Sequence, residues 1–186
     1  MPLSDPAPRA KLHRRDITLS GYRRDDGLFD VEAELADTKS YPLNLDQRTA
    51  APGDKLHHMR LRITVDAALT IVAAEAATEA GPYLACAGGA ASFARLAGLR
   101  IRPGFLREAM LRLGGPAGCT HIRELVQQIG TVAVQTLSAE RARAQDEAAT
   151  AARMVDSCYA YAADGAVVQR RWPQLYTGVA PAAAAD

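Results

Sequence analysis

The sequence has 186 residues, 48% of them hydrophobic and 5% aromatic, and a formal net charge of +1. This length and apolar content suit one packed domain and are not typical of a disordered chain. The balanced charge provides no broad field that would attract nucleic acid or a membrane surface, and the few aromatics disfavour base stacking.

The first ten residues predict a flexible lead-in, because they contain three prolines and no apolar run of the kind found in secretory signals. No stretch of the chain approaches the roughly 20 apolar residues of a membrane-spanning helix. We therefore expect a cytoplasmic protein without nucleic-acid or membrane partners, and a homo-oligomer is compatible with the sequence. The predicted domain covers residues 11–160, and a partly disordered extension follows over residues 161–186.

Alternating apolar and polar residues predict antiparallel strands in the first half of the chain. In the clearest case Phe29, Val31 and Leu35 alternate with acidic residues, so one face is buried and the other is solvated. Asp26-Gly27 just before it predicts a hairpin, and residues 40–54 are typical of a loop. The pattern predicts four strands, at residues 13–24, 29–35, 56–66 and 69–78.

After Gly81-Pro82 the spacing of apolar residues becomes helical. The pattern predicts helices at residues 84–97, 104–113, 119–138 and 138–156. The third has the most regular apolar stripe, which includes Ile122, Leu125 and Ile129. Strands followed by helices predict an α+β domain, with an antiparallel sheet of three or four strands and helices packed on one face.

A candidate metal site consists of His57, Cys86, Cys119 and His121. Strand alternation places His57 on the core face, Cys86 lies where the sheet gives way to helices, and Cys119 and His121 begin the longest helix. If the helices cover the sheet, all four converge at one end, where two thiolates and two imidazoles suit a single zinc or iron ion. The alternative is burial alone, since cysteine is often a core residue and the spacing is not C-x-x-C.

A second candidate site is polar and contains Asp37, Lys39, Tyr22 and Arg24. Asp37 and Lys39 lie two apart on a strand and so share a face, with Tyr22 and Arg24 expected on the neighbouring strand. In the functional interpretation these residues line a cleft that binds or deprotonates a small substrate. In the alternative they are a solvated rim at strand ends. His58 is expected on the surface.

Several strings carry a resemblance to a known family: HRRDITLSGYRRDDGLFDVEAELADTK, LHHMRLRITVD, GPYLAC and GCTHIREL. Over residues 11–160 the chain resembles a bacterial family designated domain of unknown function 2889. The residues that recur in that family correspond here to His13, Arg15, Arg24, Asp25, Gly27, Asp37, Lys39, His57, Met59, Cys86, Cys119 and His121.

Residues 56–138 are similar in layout to NifU-type iron–sulfur scaffold proteins, which implies a SufE/NifU-like fold. That layout has a metal ligand before a strand, one at the sheet-to-helix joint and a pair at the start of the long helix. Here these places hold His57, Cys86, Cys119 and His121. Because clusters usually have mostly thiolate ligands, two histidines imply a single ion instead.

The family resemblance also implies a function, through relatives in pathways for lignin-derived aromatics. It implies a lyase that removes a hydroxymethyl carbon of a small aromatic substrate as formaldehyde, in a metal-assisted, retro-aldol-like step. Asp37 would be the base, and Lys39 or Tyr22 would stabilise the phenolate. The alternative is a metal-binding or iron–sulfur carrier protein without catalytic activity.

Overall fold

The computed structural model describes residues 2–46, 48–138, 140 and 147–178. The chain divides into two compact units, residues 1–137 and 138–186. This boundary differs from the predicted domain end at residue 160.

The first unit is built on a four-stranded antiparallel sheet with the order β1-β2-β5-β6. The long strands are β1 (His13–Arg23), β2 (Phe29–Lys39), β5 (Lys55–Val65) and β6 (Ile71–Ala80). The predicted loop contains two short paired strands, β3 (Leu43–Asn44) and β4 (Thr49–Ala50). The predicted hairpin is confirmed, with Gly27 at a φ of 83° that favours glycine. Strand β2 is longer than predicted because it pairs with both neighbours as far as Thr38.

Helices follow the sheet, as predicted, so the α+β class is confirmed. In place of one helix at residues 84–97 there are two 3-10 helices, Leu84–Gly89 and Ala91–Leu96. Gly88 and Gly89 end the first of them, and glycine disfavours a continuous α-helix. Next come α1 (Phe105–Leu113), a 3-10 turn (Gly115–Ala117) and the long α2 (Thr120–Thr136).

The helices cover one face of the sheet, and α2 packs across β1, β2 and β5. Leu35, Met59 and Ile63 on the strands meet Leu125 and Ile129 on α2, and all five are buried. The apolar stripe predicted for this helix is therefore its core face. The opposite face of the sheet carries a charged network that contains Arg60, Arg62, Glu34, Glu75 and Glu79.

The carboxyl end of α2 approaches β1 very closely at Gly21. A Cβ atom built on Gly21 would overlap the side-chain hydroxyl of Thr136, the last residue of α2. That hydroxyl donates a 2.8 Å hydrogen bond to the carbonyl of Val132. Only glycine leaves room for the helix at this position.

The second unit contains α3 (Glu147–Met154), α4 (Ala166–Arg171) and the 3-10 turns Tyr159–Tyr161 and Pro173–Leu175. Its own small core consists of Ala151, Val168 and Trp172. Parts of the predicted helix at 138–156 (residues 139 and 141–146) and the alanine-rich end (179–186) lie outside the described residues. No helix in the described part of the chain is long and apolar enough to cross a membrane.

Candidate functional site

Asp37 is a buried carboxylate near the end of β2, with only 1% of its side chain exposed. It continues the alternation of β2 and so faces the helices. Its partner across β1 is Arg15, which donates Nε to Oδ1 at 2.8 Å and Nη2 to Oδ2 at 2.7 Å. The expectation of a solvated rim is therefore wrong for Asp37, because the helices cover this end of the strand as well.

Two histidines from the flanking strands also contact Asp37. The Nδ1 atom of His57, which faces Asp37 from β5, lies 3.0 Å from Oδ2, and Nε2 of His13 lies 3.2 Å from Oδ1. Burial alone would raise the pKa of Asp37, but hydrogen bonds and the positive charge of Arg15, together with His13 and His57, lower it below its usual value. Asp37 is therefore an ionised group that fixes the orientation of His57.

A third histidine, His121, comes from the first turn of α2 and stacks on His57. The ring centroids are 3.8 Å apart and the planes differ by 28°. Nε2 of His121 lies 3.9 Å from Oδ2 of Asp37. One turn further along α2, Glu124 pairs with Arg15, so the same guanidinium joins helix and sheet.

Both stacked histidines have lowered pKa values and are therefore neutral at neutral pH. Burial is the largest cause for His57, followed by the charge of His121, and Asp37 opposes both. Burial also lowers the pKa of His121, aided by Arg15 and opposed by Asp37 and Glu124. A neutral imidazole has a free lone pair, so the pair can accept a proton from a bound molecule.

The two imidazoles lie at the wall of a cavity of about 430 Å³. All four residues of the predicted metal site, His57, Cys86, Cys119 and His121, line this cavity. Much of the remaining lining is apolar or aromatic, including Met59, Pro82 and Tyr83. A cavity of this size with a few convergent polar groups is the usual form of a small-molecule site.

Within the described residues, Asp37, His57 and His121 form a group that could hold a metal ion, with one ligand atom from each lying within 4.8 Å of the others. Two features of the arrangement oppose such binding as it stands. Both oxygens of Asp37 already accept hydrogen bonds from Arg15. In addition, the lone pairs of stacked rings run side by side and do not converge on one point. A metal would require the imidazoles to rotate.

The residues of the predicted polar site are not brought together. Tyr22 is seven residues from Arg15 along β1, or about 23 Å at the usual strand rise, and it lies on the charged face of the sheet. Arg24 pairs with Asp26 and Asp30 at the hairpin. The expectation that both share a cleft with Asp37 is therefore wrong. Lys39 places Nζ 5.8 Å from the ring centroid of Tyr41 and does not line the cavity.

Arg15 and His13, which hold Asp37, were named among the residues that recur in the family but were left out of the predicted site. The signal was present, since both have the strand parity of Ile17 and Leu19 and so lie on the helix-covered face. His58 was expected on the surface and is instead buried, with Nε2 beside Glu34 and Nδ1 beside Glu79. Paired carboxylates on the charged face account for its burial.

Comparison with known proteins identifies a family. A family model described as protein of unknown function (DUF2889) matches residues 13–135, which include every residue of the site. No curated protein matches the chain, and no solved structure matches it either.

Proposed function

This chain belongs to the DUF2889 family, and we propose that it is a small-molecule lyase in which His57 is the general base. The observation that carries the proposal is the contact between Asp37 and Nδ1 of His57 at the cavity wall. A buried carboxylate bonded to one imidazole nitrogen fixes the tautomer and leaves the other nitrogen for the substrate.

The proposed substrate is an aromatic alcohol with a hydroxymethyl group on the carbon next to one that bears an aryl ether oxygen. Nε2 of His57 takes the hydroxyl proton, and the oxygen forms the C=O bond of formaldehyde as the C–C bond breaks. The released electron pair forms a C=C bond, and the bond between the neighbouring alkyl carbon and the ether oxygen breaks, so the oxygen leaves as phenolate. The proton on His57 then passes to the phenolate, so atoms and charge balance.

Three features of the site support this chemistry. The lowered pKa of His57 keeps the base unprotonated at neutral pH. The ionised Asp37 stabilises the imidazolium that forms during the step. Met59, Pro82 and Tyr83 give the cavity the apolar surface that an aromatic ring requires.

The proposal is tested by incubating the full chain with a hydroxymethyl-bearing, lignin-type aryl ether dimer. We expect formaldehyde and a phenol to be released in equal amounts. Lys39→Ala tests whether the reaction depends on the predicted polar site. This variant should release formaldehyde at the wild-type rate, because Lys39 does not line the cavity. A loss of about 10²-fold in that variant would instead give Lys39 an acid–base role. Absence of formaldehyde with every such dimer would refute the lyase.

A metal-binding protein is the second candidate function, favoured by the ligand atoms of Asp37, His57 and His121 that lie within 4.8 Å of one another. This candidate predicts one zinc or iron ion per chain, bound after the imidazole rings rotate. A carrier of an iron–sulfur cluster is disfavoured, because the cavity offers only two thiols. Elemental analysis of the purified protein should then show stoichiometric metal that is lost in His57→Gln and His121→Gln. Metal-free protein that is still active would exclude this candidate.

A further inference from the structure

We infer that Cys119 and His121 form a thiol–imidazole nucleophile that adds reversibly to small aldehydes in the cavity. Sγ of Cys119 lies 4.0 Å from Nδ1 of His121, and both residues line the cavity. Cys119 is the N-cap residue of the 17-residue helix α2, so its side chain lies at the start of the helix beside His121.

His121 is held in the orientation that this pair requires. Its ring stacks on His57 at 3.8 Å, and its other nitrogen, Nε2, lies 3.9 Å from the buried carboxylate of Asp37. A thiol beside an imidazole whose ring is held in place is the arrangement by which a base activates a nucleophile. At 3.9 Å the carboxylate of Asp37 is beyond hydrogen-bond distance and acts on His121 only through its charge.

Two glycines lie beside Cys119. A Cβ on Gly89 would lie 3.4 Å from Cβ of Cys119, which is ordinary van der Waals contact. On the other side, a Cβ on Gly118 would lie 2.9 Å from the carbonyl oxygen of Leu113, which fixes how the chain enters α2. Cys119 is partly buried and lines the cavity, so a small molecule can reach it.

The two other cysteines provide internal controls. Cys86 lines the same cavity and is also partly buried, but its thiol lies beside Gly81, and Thr78 bonds to its backbone carbonyl, so neither neighbour is a base. Cys158 is exposed and lies in the second unit. If exposure alone determined the rate of thiol alkylation, Cys158 would react fastest. If the imidazole of His121 determines it, Cys119 would react fastest.

The addition balances without any further reactant. Cys119 gives its thiol proton to Nδ1 of His121, and the sulfur pair attacks the carbonyl carbon. The C=O π pair moves to oxygen, which takes the proton back from His121, leaving an S-hydroxymethyl group when the aldehyde is formaldehyde. The choice of aldehyde rests on the proposed function, because formaldehyde would be released in this same cavity and its adduct would slow the next turnover.

The test is peptide mapping by mass spectrometry after timed exposure of the full chain to iodoacetamide. We expect Cys119 to be alkylated at least about 10-fold faster than Cys158 despite its lower exposure. His121→Gln should remove this excess and leave the rate at Cys158 unchanged. A wild-type rate at Cys119 equal to or below that at Cys158 would overturn the nucleophile without any need for a variant.

A second arm addresses the aldehyde without relying on lyase turnover. Added formaldehyde should protect Cys119 from iodoacetamide and protect Cys158 less, and the protection should be lost on dilution. Fast alkylation without such protection would overturn the aldehyde specificity. Fast, protectable alkylation in a protein that releases no formaldehyde from aryl ether dimers would uphold the nucleophile and refute the lyase, so the two failures are distinct.

Discussion

His57→Gln should reduce formaldehyde release by about 10²-fold or more, the usual contribution of a positioned base. Glutamine retains a polar group near Asp37 but cannot accept the substrate proton. His57 is only 15% exposed and contacts Asp37 at 3.0 Å, so the substitution is made in a fixed environment. The measurement is steady-state release of formaldehyde and phenol, with circular dichroism to confirm folding.

The matched control is His58→Gln, the same substitution one residue along β5 on the charged face of the sheet. It should keep near wild-type turnover, and a comparable loss there would remove the special role of His57.

The pH profile of the lyase activity adds a further check. Because the pKa of His57 is lowered, activity should persist below pH 6.5 and fall only as the pH drops through that lowered value. An acid limb above pH 6.5 would contradict the assignment.

Asp37→Asn should destabilise the first unit by about 3 kcal/mol at pH 7, the lower end of what breaking a buried ion pair costs, because Arg15 is partly exposed. Asparagine removes the charge that pairs with Arg15 at 2.7 Å, and the side chain at this position is only 1% exposed. Equilibrium unfolding in urea measures the loss. Asp16→Asn is the control, since Asp16 pairs with Arg14 where both side chains are exposed, and it should change little.

The stabilisation that Asp37 provides should depend on pH. The folded-state pKa of Asp37 is lowered, so the unfolded state binds more protons in acid. The stabilisation is therefore present above about pH 4 and is lost as the pH falls through the folded-state value. The difference in the free energy of unfolding between wild type and Asp37→Asn should become smaller below pH 4. A difference that is constant with pH would mean that the carboxylate is not ionised in the native protein.

The α+β fold could be predicted from the sequence because apolar residues recur at the regular spacing of strands in the first half and of helices in the second. Alternation at residues 29–35 and the helical stripe that includes Ile122 and Ile129 each reflect a face that the structure buries. The 3-10 character of residues 84–96 could not be predicted, because short apolar runs with glycines fit several backbone geometries.

The candidate site was predicted in part. His57, Cys86, Cys119 and His121 do line one cavity, as the positions of their strand and helix ends suggested. The buried role of Asp37 was missed because charges at strand ends are usually solvated, although the predicted hairpin at Asp26-Gly27 implies its pairing with Arg15. Tyr22 was placed wrongly because the register of that hairpin was not applied: it pairs Tyr22 with Asp30, at the opposite end of β2 from Asp37.

The close approach of Thr136 to Gly21 has a consequence for the cavity at the other end of α2. His121 and Thr136 are 15 residues apart on one helix, or about 22 Å. The helix is rigid over that length, so its height above β1 at Gly21 also sets the height of Cys119 and His121 above His57 and Asp37. The spacing of the imidazole pair is thus fixed partly by the missing side chain of a residue that touches neither histidine.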